Sequence, residues 1–215
     1  AAYRTTYYSR SADNRGQVIT EPLVRQYLAL RSDVVGPVFA KIWDTPDNRY
    51  SERMKHLIEP TFALEYIPGI GNASRVLAGV DQTDVMLGDT TRFTYGINNR
   101  LLYRARTTDG SAGSTIQFLT IGVQQTYYLT PRSSLNDTQY ISTGFRTGSV
   151  DLSDVGFTVK VTPSPQLDST TRLEYDVHGQ GLHVLTTSGS TQVLGSSTTV
   201  SYTRQRRNRT ATPDS

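Results

Sequence analysis

The chain has 215 residues, a formal net charge of +3 and 36 % hydrophobic residues. That apolar share is low for a globular chain, yet 13 tyrosines argue against disorder and suit a wall with one apolar and one wet face. Near-balanced charge gives no nucleic-acid footprint, so no nucleic-acid partner is expected. The absence of cysteine removes disulfides, thiolate metal sites and cysteine nucleophiles from this segment.

No run approaches 18 apolar residues, so a membrane role would have to use strands. In chain order, Leu23 to Leu30 is the best helix candidate, but it follows Pro22 and reads equally well as a strand. Phe62, Leu64 and Tyr66 then alternate with Ala63 and Glu65. From Arg92 to Ala105 one face reads Phe93, Tyr95, Ile97, Asn99, Leu101, Tyr103 and Ala105. The opposite face reads Arg92, Thr94, Gly96, Asn98, Arg100, Leu102 and Arg104, with only Asn99 and Leu102 out of pattern. Leu119, Ile121, Val123, Tyr127 and Leu129 oppose Thr120, Gly122, Gln124 and Thr126. Val155, Phe157, Val159 and Val161 alternate with Gly156, Thr158, Lys160 and Thr162. Leu173, Tyr175 and Val177 alternate with Arg172, Glu174 and Asp176, and Thr198, Val200 and Tyr202 repeat the pattern weakly.

A period of two is the signature of a strand, and template matching gives roughly ten strand candidates. These runs exceed the ~5–6 residues of soluble strands and reach the ~9–11 that a tilted strand needs to cross a bilayer. Thr162–Pro165 and Val177–Gly181 read as short turns, Arg106–Ser114 and Thr130–Gln139 as long polar loops. Alternation of short turns with long loops suits an outer-membrane barrel. The expected fold is therefore all-β: an antiparallel transmembrane β-barrel, with residues 1–215 forming one partial barrel domain. In that arrangement the apolar set faces lipid. Arg92, Thr94, Asn98, Arg104, Lys160, Arg172, Glu174 and Asp176 line the lumen, with Arg100 and Glu65 beside them. Tyr66, Tyr103, Tyr127 and Tyr128 stand as an interfacial aromatic girdle. A secreted β-sandwich, in which the apolar face is a shared core, has the same period and stays open as the alternative.

Chemistry-bearing motifs are sparse. His56 and Glu59 are three positions apart, which in a strand puts them on opposite faces, and Pro60 disfavours helix at Glu59. The pair therefore reads as a polar strand start with Pro60 at an edge or first-residue position, not as a metal site. No metal or cofactor is expected. Gly69-Ile70-Gly71 lacks the strand-to-helix context of a dinucleotide fingerprint and opens a loop carrying Asp81, Asp84 and Asp89, whose spacing is not an EF-hand. His56, His178 and His183 lack a nucleophile-elbow context, so no catalytic residue is assigned and an enzyme is not expected. The run Arg204, Arg206, Arg207 and Arg209 reads as a solvated loop or terminus.

Several stretches resemble a known family. Leu30-Arg31-Ser32-Asp33-Val34-Val35-Gly36-Pro37-Val38-Phe39, then Lys55-His56-Leu57-Ile58-Glu59-Pro60 with Tyr66-Ile67-Pro68, then Phe93-Thr94-Tyr95-Gly96-Ile97-Asn98-Asn99-Arg100-Leu101 occur in an order similar to the barrel of the lipopolysaccharide-assembly outer-membrane proteins (LptD, also called OstA). Gly122–Leu129 and Val161–Asp176 extend the likeness, so it spans about Tyr27 to Asp176. The motif residues it singles out are Gly36, Pro37, His56, Glu59, Pro60, Asn99, Arg100 and Leu101. The resemblance implies a bacterial outer-membrane barrel of more than twenty strands that inserts lipopolysaccharide into the outer leaflet. It also implies a plug lipoprotein, periplasmic bridge proteins and outer-membrane lipid as partners. On that reading this chain is an incomplete arc of roughly ten strands, without the family's periplasmic N-terminal domain and first strands. A general outer-membrane porin or channel and a soluble secreted β-sandwich adhesin remain the alternatives.

Overall fold

The computed structural model describes residues 1–69, 75, 89–107, 113–164, 166–179, 181–193 and 195–206. Among these residues twelve strands follow one another: β1 (Ala2–Tyr8), β2 (Ser11–Ala12), β3 (Val18–Ile19), β4 (Leu23–Val35), β5 (Phe39–Asp44), β6 (Ser51–Ile67), β7 (Thr90–Ala105), β8 (Thr115–Tyr128), β9 (Val155–Ser164), β10 (Leu167–Asp176), β11 (Gly181–Val193) and β12 (Ser196–Gln205). Ten of them form one antiparallel sheet in the order β1-β4-β6-β7-β8-β9-β10-β11-β12, with β5 also on β6. β2 and β3 pair separately. The sheet is open: its path ends at β1 and β12, and β5 also has a partner on one side alone. No helix among the described residues is long and apolar enough to cross a membrane.

Sequence order and spatial order nearly coincide, because from β6 onward each strand pairs antiparallel with the next. The strands are long. β6 has 17 residues, β7 has 16 and β8 has 14, two to three times the usual soluble strand of ~5–6. Leu23–Leu30, readable as helix or strand, belongs to the 13-residue β4. At the tight connection from β11 to β12, Gly195 has φ +81°, a left-handed backbone that favours glycine.

Register carries the two-faced pattern across the whole sheet. Residues paired across an antiparallel ladder project to the same side. Arg92 pairs with Glu65 and Tyr128, Thr94 with Ala63 and Thr126, and Asn98 with Glu59 and Gly122. Lys160 joins this side through Thr120, as do Arg172 through Thr158 and Glu174 through Gly156. The other side carries Leu30, Val34, Phe39, Phe62, Leu64, Tyr66, Phe93, Ile97, Val123, Phe157, Leu173, Tyr175, Val200 and Tyr202 by the same ladders. Much of this apolar side is solvent-exposed, for example Phe39 at 61 %, Val34 at 53 % and Val200 at 70 %.

Pro60 is not at a strand start. It sits in the interior of β6, paired with Ile97 on one side. On its other side the β5 ladder ends at Ile58 and the β4 ladder begins at Thr61. The Gly36 amide donates to the Pro60 carbonyl over 2.8 Å in that gap. Since N–H and C=O of one strand residue point the same way, the missing proline N–H falls where the chain turns through Gly36 and Pro37 and no ladder needs it.

The buried centre lies on the polar side. Residues 129–154, between β8 and β9, do not extend away as a loop. They fold back over the sheet through two 3-10 turns, Pro131–Asn136 and Ile141–Phe145. Thr130–Gln139, expected as a free polar loop, is therefore a cover, with Ser133, Ser134 and Asp137 buried in it. Its last residues return along β8: Tyr128 donates its amide to Asp151 and Ser153 donates to Thr126. The antiparallel order places the strand ends at Tyr8 and Leu23, Ile67 and Thr90, Tyr128 and Val155, and Asp176 and Gly181 at one end of the sheet. The opposite end holds the strand ends at Asp44 and Ser51, Ala105 and Thr115, Ser164 and Leu167, and Val193 and Ser196, while 36–38 sits mid-sheet beside Pro60. Asp176 and Gly181, which flank one expected short turn, therefore share an end with the long 129–154 connection, and Ala105 and Thr115, which flank one expected long loop, share an end with the closely spaced pairs Ser164–Leu167 and Val193–Ser196. The asymmetry between ends is real, but its membership differs from the sequence reading.

Candidate functional site

The covered part of the polar face is built from charges that β7, β8, β10 and β11 bring under residues 129–154. Arg92 is 9 % exposed. Its guanidinium lies 3.0 Å from Glu65 and 2.9 Å from Asp137. The contact to Glu65 is hydrogen-bonded, whereas Asp137 holds Nη1 as an ion pair without hydrogen-bond alignment. Tyr128 donates its hydroxyl to Asp137 over 2.7 Å. It was expected in an aromatic girdle, but its even position puts it on the polar side, where it is 1 % exposed. Tyr66 and Tyr127 do lie on the apolar side, exposed at 44 % and 43 %.

Beside this lies a second cluster. Glu174 is fully buried and accepts the amides of Ile141 and Ser142, each at 2.8 Å. Arg172 pairs with Glu174 at 3.0 Å and also donates to the Gln139 carbonyl. The Glu174 carboxylate thus anchors the start of the second 3-10 turn, satisfying amides that a short turn leaves open. Tyr140 packs below and its hydroxyl meets the Thr126 hydroxyl at 3.2 Å. Burial raises the Tyr140 phenol above its ordinary value.

A third cluster joins the cover to β10 and β11. Asp154 is fully buried between Arg146, at 2.6 Å, and His183, whose Nδ1 lies 2.7 Å away. Asp176 accepts the His178 amide and its Oδ2 is 3.9 Å from His183 Nε2. His183 owes its place to a bulge. Glu174 pairs with Val184 but Tyr175 pairs with Leu182, so His183 is the extra residue. A bulge re-aims the residue it inserts, and strict alternation would have sent His183 to the apolar side.

The eight residues expected in a lumen share one side of the sheet, but not one environment. Arg92, Glu174 and Asp176 are buried under the cover, and Thr94 bonds to Thr126 at 2.8 Å. Asn98 stands over Gly122, where an added Cβ would come within 2.9 Å of its Oδ1. Lys160 and Arg104 are exposed and have no carboxylate partner among the described residues. The motif residues converge around Pro60. Glu59 pairs with Arg100 on the polar side. His56 leaves the opposite side, where its Nε2 meets Asn99 Oδ1 at 3.2 Å, and Leu101 pairs with His56 and Leu119. Asn99, out of pattern in the sequence, thus finds its partner in His56.

Asp137, Asp154, Arg146 and Ser153 had drawn no notice in the sequence, since only the folding of the cover gives them partners. Ile70, Gly71, Asp81, Asp84, Arg207 and Arg209 lie outside the described residues. No family model matches the chain, and no curated protein does.

Proposed function

We propose that this chain is a wall segment of a bacterial outer-membrane β-barrel whose work is to insert lipopolysaccharide into the outer leaflet, without catalysis. The observation that carries the reading is the sheet's sidedness. Strands of up to 17 residues present one mainly apolar side, interrupted by His56, Asn99, Gln125, Thr171 and Thr187, and one charged side covered in part by the chain's own connection. In lipid every backbone group needs an internal partner, so such a sheet works only as part of a closed barrel. A soluble sandwich would cover the apolar side with a second sheet. Among the described residues the only other sheet is the two-stranded β2–β3 pair.

The export role draws on the ordered motifs, which the fold gathers about Pro60: Gly36 on its carbonyl, Glu59 with Arg100, His56 with Asn99. A charged sugar headgroup cannot cross hydrocarbon at acceptable cost, so a polar path along the wall is what such a substrate needs. Lys160 and Arg104, exposed on the polar side, are the cations placed to meet phosphorylated sugars. Arg92, Arg100 and Arg172 are already engaged by Glu65, Asp137, Glu59 and Glu174. A plug lipoprotein and periplasmic bridge proteins are the partners this role requires.

The test is depletion of the protein from living cells, followed by measurement of newly made lipopolysaccharide at the cell surface. Loss of surface delivery, with material retained inside, is expected. Delivery at an undiminished rate contradicts the export role and favours a general channel.

A further inference from the structure

We propose that His183, Asp176 and His178 form a site for a borderline divalent cation, zinc being the best fit, beneath the cover formed by residues 129–154. The argument starts from His183. Its side chain is 5 % exposed, and Nε2 is buried without a hydrogen-bond partner. A buried polar atom without a partner is costly, and each such case asks for an explanation.

The other ring nitrogen is fixed. Asp154 is ion-paired through Oδ1 to Arg146 at 2.6 Å, so it is an ionised acceptor. Its Oδ2 takes the Nδ1 hydrogen of His183 over 2.7 Å. In the neutral ring this leaves the lone pair on Nε2. A carboxylate on one imidazole nitrogen with a metal on the other is the usual outer-shell arrangement of metal-binding histidines. Nε2 points towards Asp176 Oδ2, 3.9 Å away. That gap is about 0.5 Å wider than a tetrahedral zinc sets between nitrogen and oxygen ligands, a difference small side-chain rotations remove.

The three buried groups Asp154, Asp176 and His183 bring ligand atoms within 4.8 Å of one another. They come from the end of the cover, the end of β10 and the bulge in β11. His183 and Asp176 open on a cleft of about 150 Å³ bounded by Arg146–Val150 and His178. His178 is 41 % exposed at its rim, with Nδ1 3.2 Å from Asp176 Oδ1. It can turn inward as a third ligand, and solvent completes the set. Two imidazoles with one carboxylate favour zinc over calcium or magnesium, which take oxygen. Arg146 stays on Asp154, so the guanidinium neutralises the outer-shell carboxylate.

The test is titration of the full, folded chain with Co²⁺ as a spectroscopic probe and with Zn²⁺ in competition. One equivalent of Co²⁺ giving visible d–d bands, displaced by Zn²⁺, is expected. His183→Gln should abolish the bands, and Asp154→Asn should weaken binding about 10-fold. His178→Gln, at an exposed rim position where folding is not at stake, should weaken binding by a similar factor. His56→Gln, on the other side of the sheet, should leave it unchanged. Absence of stoichiometric binding by the unaltered chain overturns the proposal. So does binding that survives both His183→Gln and His178→Gln.

Discussion

Arg92 on β7 and Asp137 in the cover stand 2.9 Å apart with almost no solvent between them. Through this pair the segment 129–154 is tied to the charged side near the start of β7. Asp137 also accepts the Tyr128 hydroxyl, so a single carboxylate holds a strand end and a guanidinium together. Asp137→Ala leaves Arg92 with Glu65 alone, and stripping one partner from a buried pair costs about 3–5 kcal/mol. Proteolysis within residues 129–154 should accelerate while the strand signal in circular dichroism persists. Unchanged cleavage would mean the pair does not hold the cover.

Close approach of strands makes a second prediction. A Cβ at Gly96 would lie 2.7 Å from the Val123 carbonyl and 3.1 Å from the Thr61 hydroxyl, whereas one at Gly36 would meet Pro60 Cβ at an ordinary 3.4 Å. Gly96→Ala should therefore destabilise by about 1–3 kcal/mol as overpacking does. Gly36→Ala should change the unfolding midpoint little. Denaturant unfolding of the two variants side by side reads the difference.

On the apolar side, His56 and Asn99 satisfy one another. His56→Leu strands the Asn99 amide and should cost about 1–3 kcal/mol. The double change His56→Leu with Asn99→Leu should recover most of that loss, because both polar groups are then gone. A double-mutant cycle measures the coupling. Simple additivity would deny it.

Alkali should loosen the cover through Tyr140. The fold raises this phenol above its ordinary value of about 10, so the neutral form is the one the fold favours. That contribution is complete below the unfolded value and is lost as pH rises from there through the higher folded value. Near-ultraviolet circular dichroism between pH 9 and 12 should show release of the cover in the unaltered chain. Tyr140→Phe, which has no proton to lose there, should flatten that part of the profile.

The alternation of Phe93, Tyr95 and Ile97 against Arg92, Thr94 and Asn98 made the sheet and its two sides readable from residue order alone, because side chains in a strand alternate. So was the separation of His56 from Glu59. Pro60 misleads by its residue type: proline normally marks an edge, and only the hand-over from β5 to β4 frees an interior position from its ladder. His183 was illegible because a bulge inverts its side. Asp137 and Asp154 were illegible because loop residues have no period, and their partners come from strands that only tertiary folding brings near. Tyr128 shows the limit of composition: a tyrosine at a strand end reads as interfacial until parity places it among the charges.

The central claim is that the apolar side meets lipid and the charged side does not. The chain has no cysteine, so single cysteines can be placed at Ile97 and Val123 on one side and at Asn98 and Thr120 on the other, in the membrane-embedded protein. A fluorophore at Ile97 or Val123 should be quenched by a lipid-resident quencher and resist a water-soluble one. At Asn98 or Thr120 the order should reverse. Equal response of both sets to the water-soluble quencher, or protection of Ile97 and Val123 from both quenchers in a detergent-free monomer, would contradict the account.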